Sequence, residues 1–157
     1  MKFFEWNFDE MYVMRWACIW FLPNLDDYND KVAELGIQDG DDVWSRNLIQ
    51  QDELVETIRM FMTFLELQEQ SKGQEVPPFL WRERLFFIVV RALCYFVNQV
   101  DNFNNEMTLH AGPNEGFKEG FKEADKINVN EVTGVIAKMR NGHNQFRSAF
   151  LDYDILK

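Results

Sequence analysis

The sequence has few of the residues that form cross-links or reactive sites. Its 157 residues include two cysteines, Cys18 and Cys94, and two histidines, His110 and His143. Each cysteine stands within an apolar helical pattern, which predicts a buried, reduced thiol that packs as a small hydrophobic residue. Neither histidine has a second histidine or a cysteine at ligand spacing, so we predict no zinc site and no cofactor.

Sequence motifs for common chemistries are also missing. There is no phosphate-binding loop, no Gly-x-Gly-x-x-Gly pattern, no serine elbow and no Glu-x-x-His pair. The acidic turn at 38–42 lacks the alternating ligand spacing of calcium loops. Uncharged apolar runs stay well below the ~20 residues of a membrane helix, and the N-terminus has no secretory signal pattern. We therefore expect a cytoplasmic protein that is not an enzyme and has no metal or membrane segment.

Apolar residues are abundant and recur at helical spacing. The chain is 46% hydrophobic and 15% aromatic, enough for a substantial core. The longest strongly apolar stretch follows the proline pair Pro77-Pro78, which fixes the backbone where a helix can begin. It predicts a central helix over Phe79–Val100. We predict an all-α fold, with 1–157 forming a single compact bundle of about five to seven helices around that central helix.

Further helices are predicted from apolar periodicity and from stop signals. They cover 10–22, 25–35 with Gly36 as the stop, 43–51, 52–70 and 128–151. The asparagine-rich segment 101–116 is predicted to be an irregular loop. Loops of that length are often functional, so this one is a candidate for a functional segment.

Negative charge is concentrated in the N-terminal third of the chain. Residues 1–56 hold thirteen acidic and four basic residues, a net charge of −9, out of −10 for the whole chain. Phosphate contacts need a basic surface, so direct nucleic-acid binding is not expected. An acidic surface attracts basic proteins at long range. Alternatively, the acidity serves only to keep an aromatic-rich protein in solution.

These features predict a small acidic binding protein that inhibits a more basic protein partner by covering its functional surface. Immunity proteins, antitoxins and phage counter-defence proteins act in this way on toxins, nucleases or defence effectors. The candidate contact residues are Asp26, Asp27, Asp30, Asp39, Asp41, Asp42 and Trp44. Besides Trp44, Tyr28 and Trp6 are candidate exposed aromatic anchors for the contact.

Two arginine pairs repeat at a seven-residue spacing. Arg84 and Arg91 share one face of the central helix, and Arg140 and Arg147 share one face of the last helix. In the first interpretation these side chains are structural, and they face solvent or pair with acidic residues. In the second they form a cationic line that binds an anion or an acidic partner. Burial of all four against carboxylates would indicate a structural domain of a larger assembly.

Two short resemblances imply alternatives. Arg140-Asn141-Gly142-His143 resembles the Arg-Asn…His motif of HEPN ribonucleases, whose histidine usually follows at a longer spacing. That likeness implies a ribonuclease that uses Arg140 and His143 across the cleft of a homodimer. The segment Arg140–Leu151 also resembles the lead-in to some HNH endonuclease domains, with His143 in place of a glutamine. This second likeness implies a non-catalytic helical domain of a larger protein.

Overall fold

A computed structural model describes residues 6–39, 43–71, 79–109, 126–142 and 144–156. Within these ranges the chain is helical and contains no strand, so the prediction of an all-α fold is confirmed. Short 3-10 helices cover Leu22–Asn24 and Asn144–Phe150. The α-helices are α1 (Phe8–Phe21), α2 (Leu25–Asp39), α3 (Val43–Asn47), α4 (Gln51–Gln70), α5 (Glu83–Phe96), α6 (Val100–Leu109), α7 (Val129–Gly142) and α8 (Tyr153–Leu156).

The centre of the fold is formed by α1 and α5. The first helix packs against α4, α5 and α7, and α5 also packs against α7 and the 3-10 helix Asn144–Phe150. Both helices are apolar on more than one side, which is typical of helices surrounded by protein. The fully buried rings Phe21, Phe86 and Phe96 come from these two helices. The central apolar helix predicted from the sequence is therefore a central helix in the structure.

This central helix is shorter at both ends than predicted. It begins at Glu83, because Phe79–Arg82 is not helical and Arg82 has extended backbone angles (φ −116°, ψ 156°). The non-helical segment allows Phe79 to stack on Phe61 of α4, with ring centroids 5.0 Å apart. The free energy gained by burying that aromatic surface offsets the loss of the hydrogen bonds of one helical turn. The predicted opening prolines, Pro77 and Pro78, lie outside the described residues.

The prediction of an irregular loop at 101–116 is wrong for its first part, which is helical. After a turn at 97–99 the chain changes direction by 77° and continues as α6. Phe103 and Met107 are one turn apart on this helix and are buried. Tertiary burial of these two side chains overrides the low helix propensity of the surrounding asparagines. The remainder of the predicted loop lies outside the described residues.

The ends of two other helices also differ from prediction. Helix α2 does not stop before Gly36 but continues to Asp39, with Gly36 buried inside it. A glycine ends a helix where the chain turns into a left-handed conformation, and this helix makes no such turn there. Conversely, α3 ends at Asn47, and 48–50 is not helical.

The capping box of Asn7 and Glu10 starts α1 near the predicted place, since each side chain accepts a backbone N–H of the other.

The predicted C-terminal helix over 128–151 is divided in two. Helix α7 ends at Gly142, and the following 3-10 helix contains a kink at Phe146 (φ −112°, ψ 24°). The kink allows Phe146 to stack on Phe86, with ring centroids 4.9 Å apart, and Phe150 to meet the same ring edge-on at 6.4 Å. Contact with the core therefore determines the path of this segment more strongly than helical periodicity does.

We expect the packing of α6 to contribute strongly to stability. Phe103 is buried against Trp16, Trp20 and Phe96. Phe103→Ala should lower the free energy of unfolding by about 3–5 kcal/mol, because it removes a large ring and leaves a cavity. Urea denaturation followed by tryptophan fluorescence measures this change. Asn105→Ala, at an exposed position of the same helix, is the control, and equal effects of the two changes would contradict the packing.

Candidate functional site

A cleft of about 350 Å³ lies where α3, α5 and the C-terminal segment meet, and we call it the arginine cleft. Both predicted arginines of the central helix line it. Arg46 of α3 lines it as well, although no pattern in the sequence marks that residue as part of a site. Its lining residues are Arg46, Asn47, Glu83, Arg84, Phe87, Arg91, Ser148, Leu151 and Asp152.

Arg84 is an exposed arginine paired with a carboxylate. Its Nε and Nη2 atoms donate to the two carboxylate oxygens of Glu53, each at 2.9 Å, and Nη2 also donates to the carbonyl of Leu48 at 2.9 Å. Hydrogen bonding by this guanidinium holds the pKa of Glu53 below its usual range, in spite of the partial burial of the carboxylate. Arg84 therefore joins α5 to the first turn of α4.

Arg91 lies at the same helical register as Arg84 but is buried, with 1% of its surface exposed. Its Nε donates to Oδ1 of Asn47 at 3.1 Å, and its Nη2 donates to the carbonyl of Leu151. Desolvation lowers the pKa of Arg91, while the nearby Tyr28, Cys94 and Asp152 oppose that change. This side chain joins α5 to α3 and to the C-terminal segment.

A second set of bonds joins α3 to the C-terminal segment. Arg46 donates to both carboxylate oxygens of Asp152, at 2.8 and 2.9 Å, and Nδ2 of Asn47 donates to the same carboxylate at 2.9 Å. These bonds, with that of Arg46 foremost, hold the pKa of Asp152 below its usual range. Each arginine of the cleft therefore already has an oxygen partner within the fold. The cleft is a cross-linked junction of helices, in which Nη1 of Arg91 is the buried guanidinium nitrogen left without a hydrogen-bond partner among the described residues.

The other arginine pair does not join this cleft. The guanidinium of Arg140 lies 4.9 Å from the ring centroids of both Phe150 and Tyr153, and Arg147 is exposed on the 3-10 helix. The four arginines therefore do not form one site, and they are not all buried against carboxylates. His143, the predicted partner of Arg140 in the ribonuclease alternative, lies outside the described residues.

The acidic residues predicted on α2 form an outward surface. Asp26, Asp27 and Asp30 are exposed, and Glu34 extends the same face, whereas Val32 is buried on the opposite side. In the part of the chain that the structure describes, none of these four carboxylates accepts a hydrogen bond or forms a salt bridge. We call these four residues the acidic face.

The side chains of the remaining predicted contact residues lie outside the described part of the chain. Asp39 ends α2 and Trp44 belongs to α3, but their side chains lie outside the described part of the chain. Asp41 and Asp42 lie outside it altogether. Their part in a contact surface stays a prediction.

The prediction that Tyr28 and Trp6 are exposed anchors is wrong, because both are buried. The hydroxyl of Tyr28 donates to the carbonyl of Asn47 at 2.8 Å. The ring of Trp6 meets Trp81 edge-on at 6.0 Å and lies under the ammonium of Lys138 at 4.5 Å. Aromatic residues with a polar atom suit both cores and interfaces, so sequence alone does not distinguish the two positions.

Within the described residues, no group of three or more histidine, cysteine, aspartate or glutamate side chains is arranged to hold a metal ion. In those residues no single helix is long and apolar enough to cross a membrane, and the α5–α6 pair that together reaches this length is bent by 77°. Comparison of the chain with protein families, curated proteins and solved structures finds no match.

The two arginines of the cleft should contribute very differently to stability. Arg91→Met should lower the free energy of unfolding by about 2–4 kcal/mol, because it leaves the buried side-chain oxygen of Asn47 and the carbonyl of Leu151 without their donor. Arg84→Met should cost about 0–1 kcal/mol, as for other exposed ion pairs. Chemical denaturation measures both values, and hydrogen exchange should show faster exchange of 144–156 in the Arg91 variant. Equal costs would contradict the assigned bonds.

The lowered pKa values of Asp152 and Glu53 predict loss of stability in acid. Each carboxyl binds its proton at lower pH in the folded chain than in the unfolded one, where the pKa is about 4. Their contribution is therefore complete above that pH and disappears as the pH falls through the folded-state value. Asp152→Asn should flatten the decline of the thermal midpoint on acidification, whereas Glu69→Gln, at an exposed position, should leave it unchanged. Parallel declines in wild type and Asp152→Asn would contradict this assignment.

Proposed function

We propose that the protein is a small binding protein that attaches to a more basic protein through the acidic face of α2. It inhibits that partner by covering the partner's functional surface. Immunity proteins, antitoxins and phage counter-defence proteins work in this manner, and their partners are toxins, nucleases or defence effectors. The observation that carries the proposal is the set of four exposed carboxylates without a salt bridge among the described residues.

The spacing of these carboxylates is unfavourable for the isolated helix. Asp30 lies four residues from both Asp26 and Glu34, and three from Asp27, so like charges are neighbours on one face. Each such pair destabilises a helix by about 0.2–0.5 kcal/mol. Asp26 and Asp27 are also in the first turn, where negative charge interacts favourably with the helix dipole. Asp30 and Glu34 lie beyond that turn, and Lys31, the basic residue of α2, donates to the carbonyl of Leu156, so a basic partner would supply the compensation.

The charge of the whole molecule supports the same type of partner. A net charge of −10 attracts a cationic surface over distances of about a Debye length and raises the association rate. Arg84 and Arg91 each donate to oxygen atoms of the fold, which reduces the positive charge that the arginine cleft presents to a partner. The buried thiols of Cys18 and Cys94 support a reducing, cytoplasmic location for the interaction.

Affinity capture from the native host tests the proposed contact. Tagged wild type should capture a basic protein at low salt and release it at moderate salt, as identified by mass spectrometry. The variant Asp30→Asn/Glu34→Gln should lose most of that capture. The control Asp9→Asn/Asp101→Asn removes the same charge from exposed positions outside α2 and α4 and should retain it. Failure to capture a basic protein, or equal losses in the two variants, would refute the acidic face as the contact.

A second measurement tests inhibition separately from binding. The activity of the purified partner should fall as wild-type protein is added and should stay high when the α2 variant is added at the same concentration. Full partner activity in a saturated complex would leave the binding intact but refute the inhibitory role.

A further inference from the structure

Helix α4 carries two apolar faces, and the described residues cover one of them. Leu54, Phe61 and Leu65 are buried against the core. Along another side of the helix lie Met60, with 38% of its surface exposed, and Leu67, with 47% exposed. Large apolar side chains that remain exposed in a row are characteristic of interaction sites, whereas isolated ones need no explanation.

This second face forms one wall of a groove. The groove has a volume of about 370 Å³ and lies between α4 and the residues that precede α5, with Leu80, 61% exposed, on the opposite wall. Phe79 and Phe64 also line it, and their rings meet edge-on at 5.2 Å. Because Phe79 is in turn stacked on Phe61, one side of the groove is anchored in the core. We call this feature the α4 groove.

The spacing of the apolar residues fits a helical ligand. Met60, Phe64 and Leu67 follow one another at intervals of four and three residues, which is the spacing of a helix–helix seam. An amphipathic helix binds such a groove through apolar residues at i, i+3 or i+4, and i+7. The exposed stretch from Met60 to Leu67 is about 10 Å long, sufficient for two turns of a bound helix.

Charge distinguishes between the two kinds of helix that could bind. Helix α4 holds five acidic residues and one basic residue, Arg59, which is paired with Glu56 at the rim of the groove. Glu53 is paired with Arg84, so Asp52, Glu66 and Glu69 are the acids of α4 that form no ion pair in the described residues. Two copies of the chain joined through α4 would bring these two acidic helices together, and each copy carries −10 overall. Such an arrangement is electrostatically unfavourable. A helix with lysines or arginines beside its apolar face is complementary to this surface.

We infer that the α4 groove binds an amphipathic helix of a protein partner whose apolar face is flanked by basic residues. This surface is separate from the acidic face of α2, so the inference does not depend on the proposed function. The apolar contact supplies the affinity, and the acidic surroundings select the charge of the ligand.

A labelled synthetic peptide serves as the probe. It has about 18 residues, with leucines on one helical face and lysines elsewhere. A second peptide has glutamates in place of the lysines, and a third has the same composition as the first without an apolar face. Fluorescence anisotropy measures their binding to the full-length protein. The first peptide should bind at least about tenfold more tightly than either of the others.

Two variants with the same added charge locate the binding. Leu67→Glu places a carboxylate inside the α4 groove, whereas Met62→Glu places one on the same helix outside it, at a side chain that is 51% exposed. Leu67→Glu should weaken peptide binding by about tenfold or more, and Met62→Glu by less than about twofold. Nonspecific attraction would strengthen both equally, since each adds a negative charge. Thermal unfolding should confirm that both variants are folded.

Three results would overturn the inference. The first is equal effects of the two variants, and the second is equal binding of the lysine and glutamate peptides. The third is a dimer in sedimentation equilibrium that Leu67→Glu dissociates, since the occupant would then be a second copy of the chain. The variant Asp30→Asn/Glu34→Gln should leave peptide binding unchanged. If it alone abolishes binding, the peptide recognises the acidic face, and the groove inference fails while the proposed function stands.

Discussion

The guanidinium of Arg91 is the buried charge on which the arrangement of the surrounding helices depends. A cation removed from water must be hydrogen-bonded, or it destabilises the folded state by several kcal/mol. Its partners come from α3, through Asn47, and from the C-terminal segment, through the carbonyl of Leu151. The carbonyl of Asn47 in turn accepts the hydroxyl of Tyr28 on α2. One charge on the central helix thus constrains three other parts of the chain.

The bonded charges of the arginine cleft contrast with the unbonded charges on the surface of α2. The cations of the arginine cleft are bonded to carboxylates, amides or carbonyls of the fold. On α2, by contrast, four neighbouring carboxylates are exposed to water without such partners in the described residues. The exposed anions of α2 and the net charge of −10 together give a negative outer potential. Such a potential attracts cationic surfaces at long range.

The two proposed surfaces would act at different stages of an encounter. The acidic face operates at long range and mainly affects the association rate and its salt dependence. The α4 groove operates only at contact, where desolvation of apolar side chains mainly affects the dissociation rate. The acidic face is negatively charged, and the α4 groove is bordered by acidic residues. The same basic partner could therefore bind both surfaces, or two basic partners could bind one surface each.

Local sequence patterns determined the helical class, the approximate extent of α1 and α4, and the exposure of the acids on α2. These properties depend on which face of a single helix is apolar, and that can be read from residue spacing. Tertiary structure alone decided that Arg91 is buried while Arg84, two turns earlier on the same face of the helix, is exposed. It also decided that α6 is helical and that Arg46 pairs with Asp152, which are 106 residues apart in the sequence. The reason is that burial and pairing depend on neighbours brought in by folding, about which the local pattern carries no information.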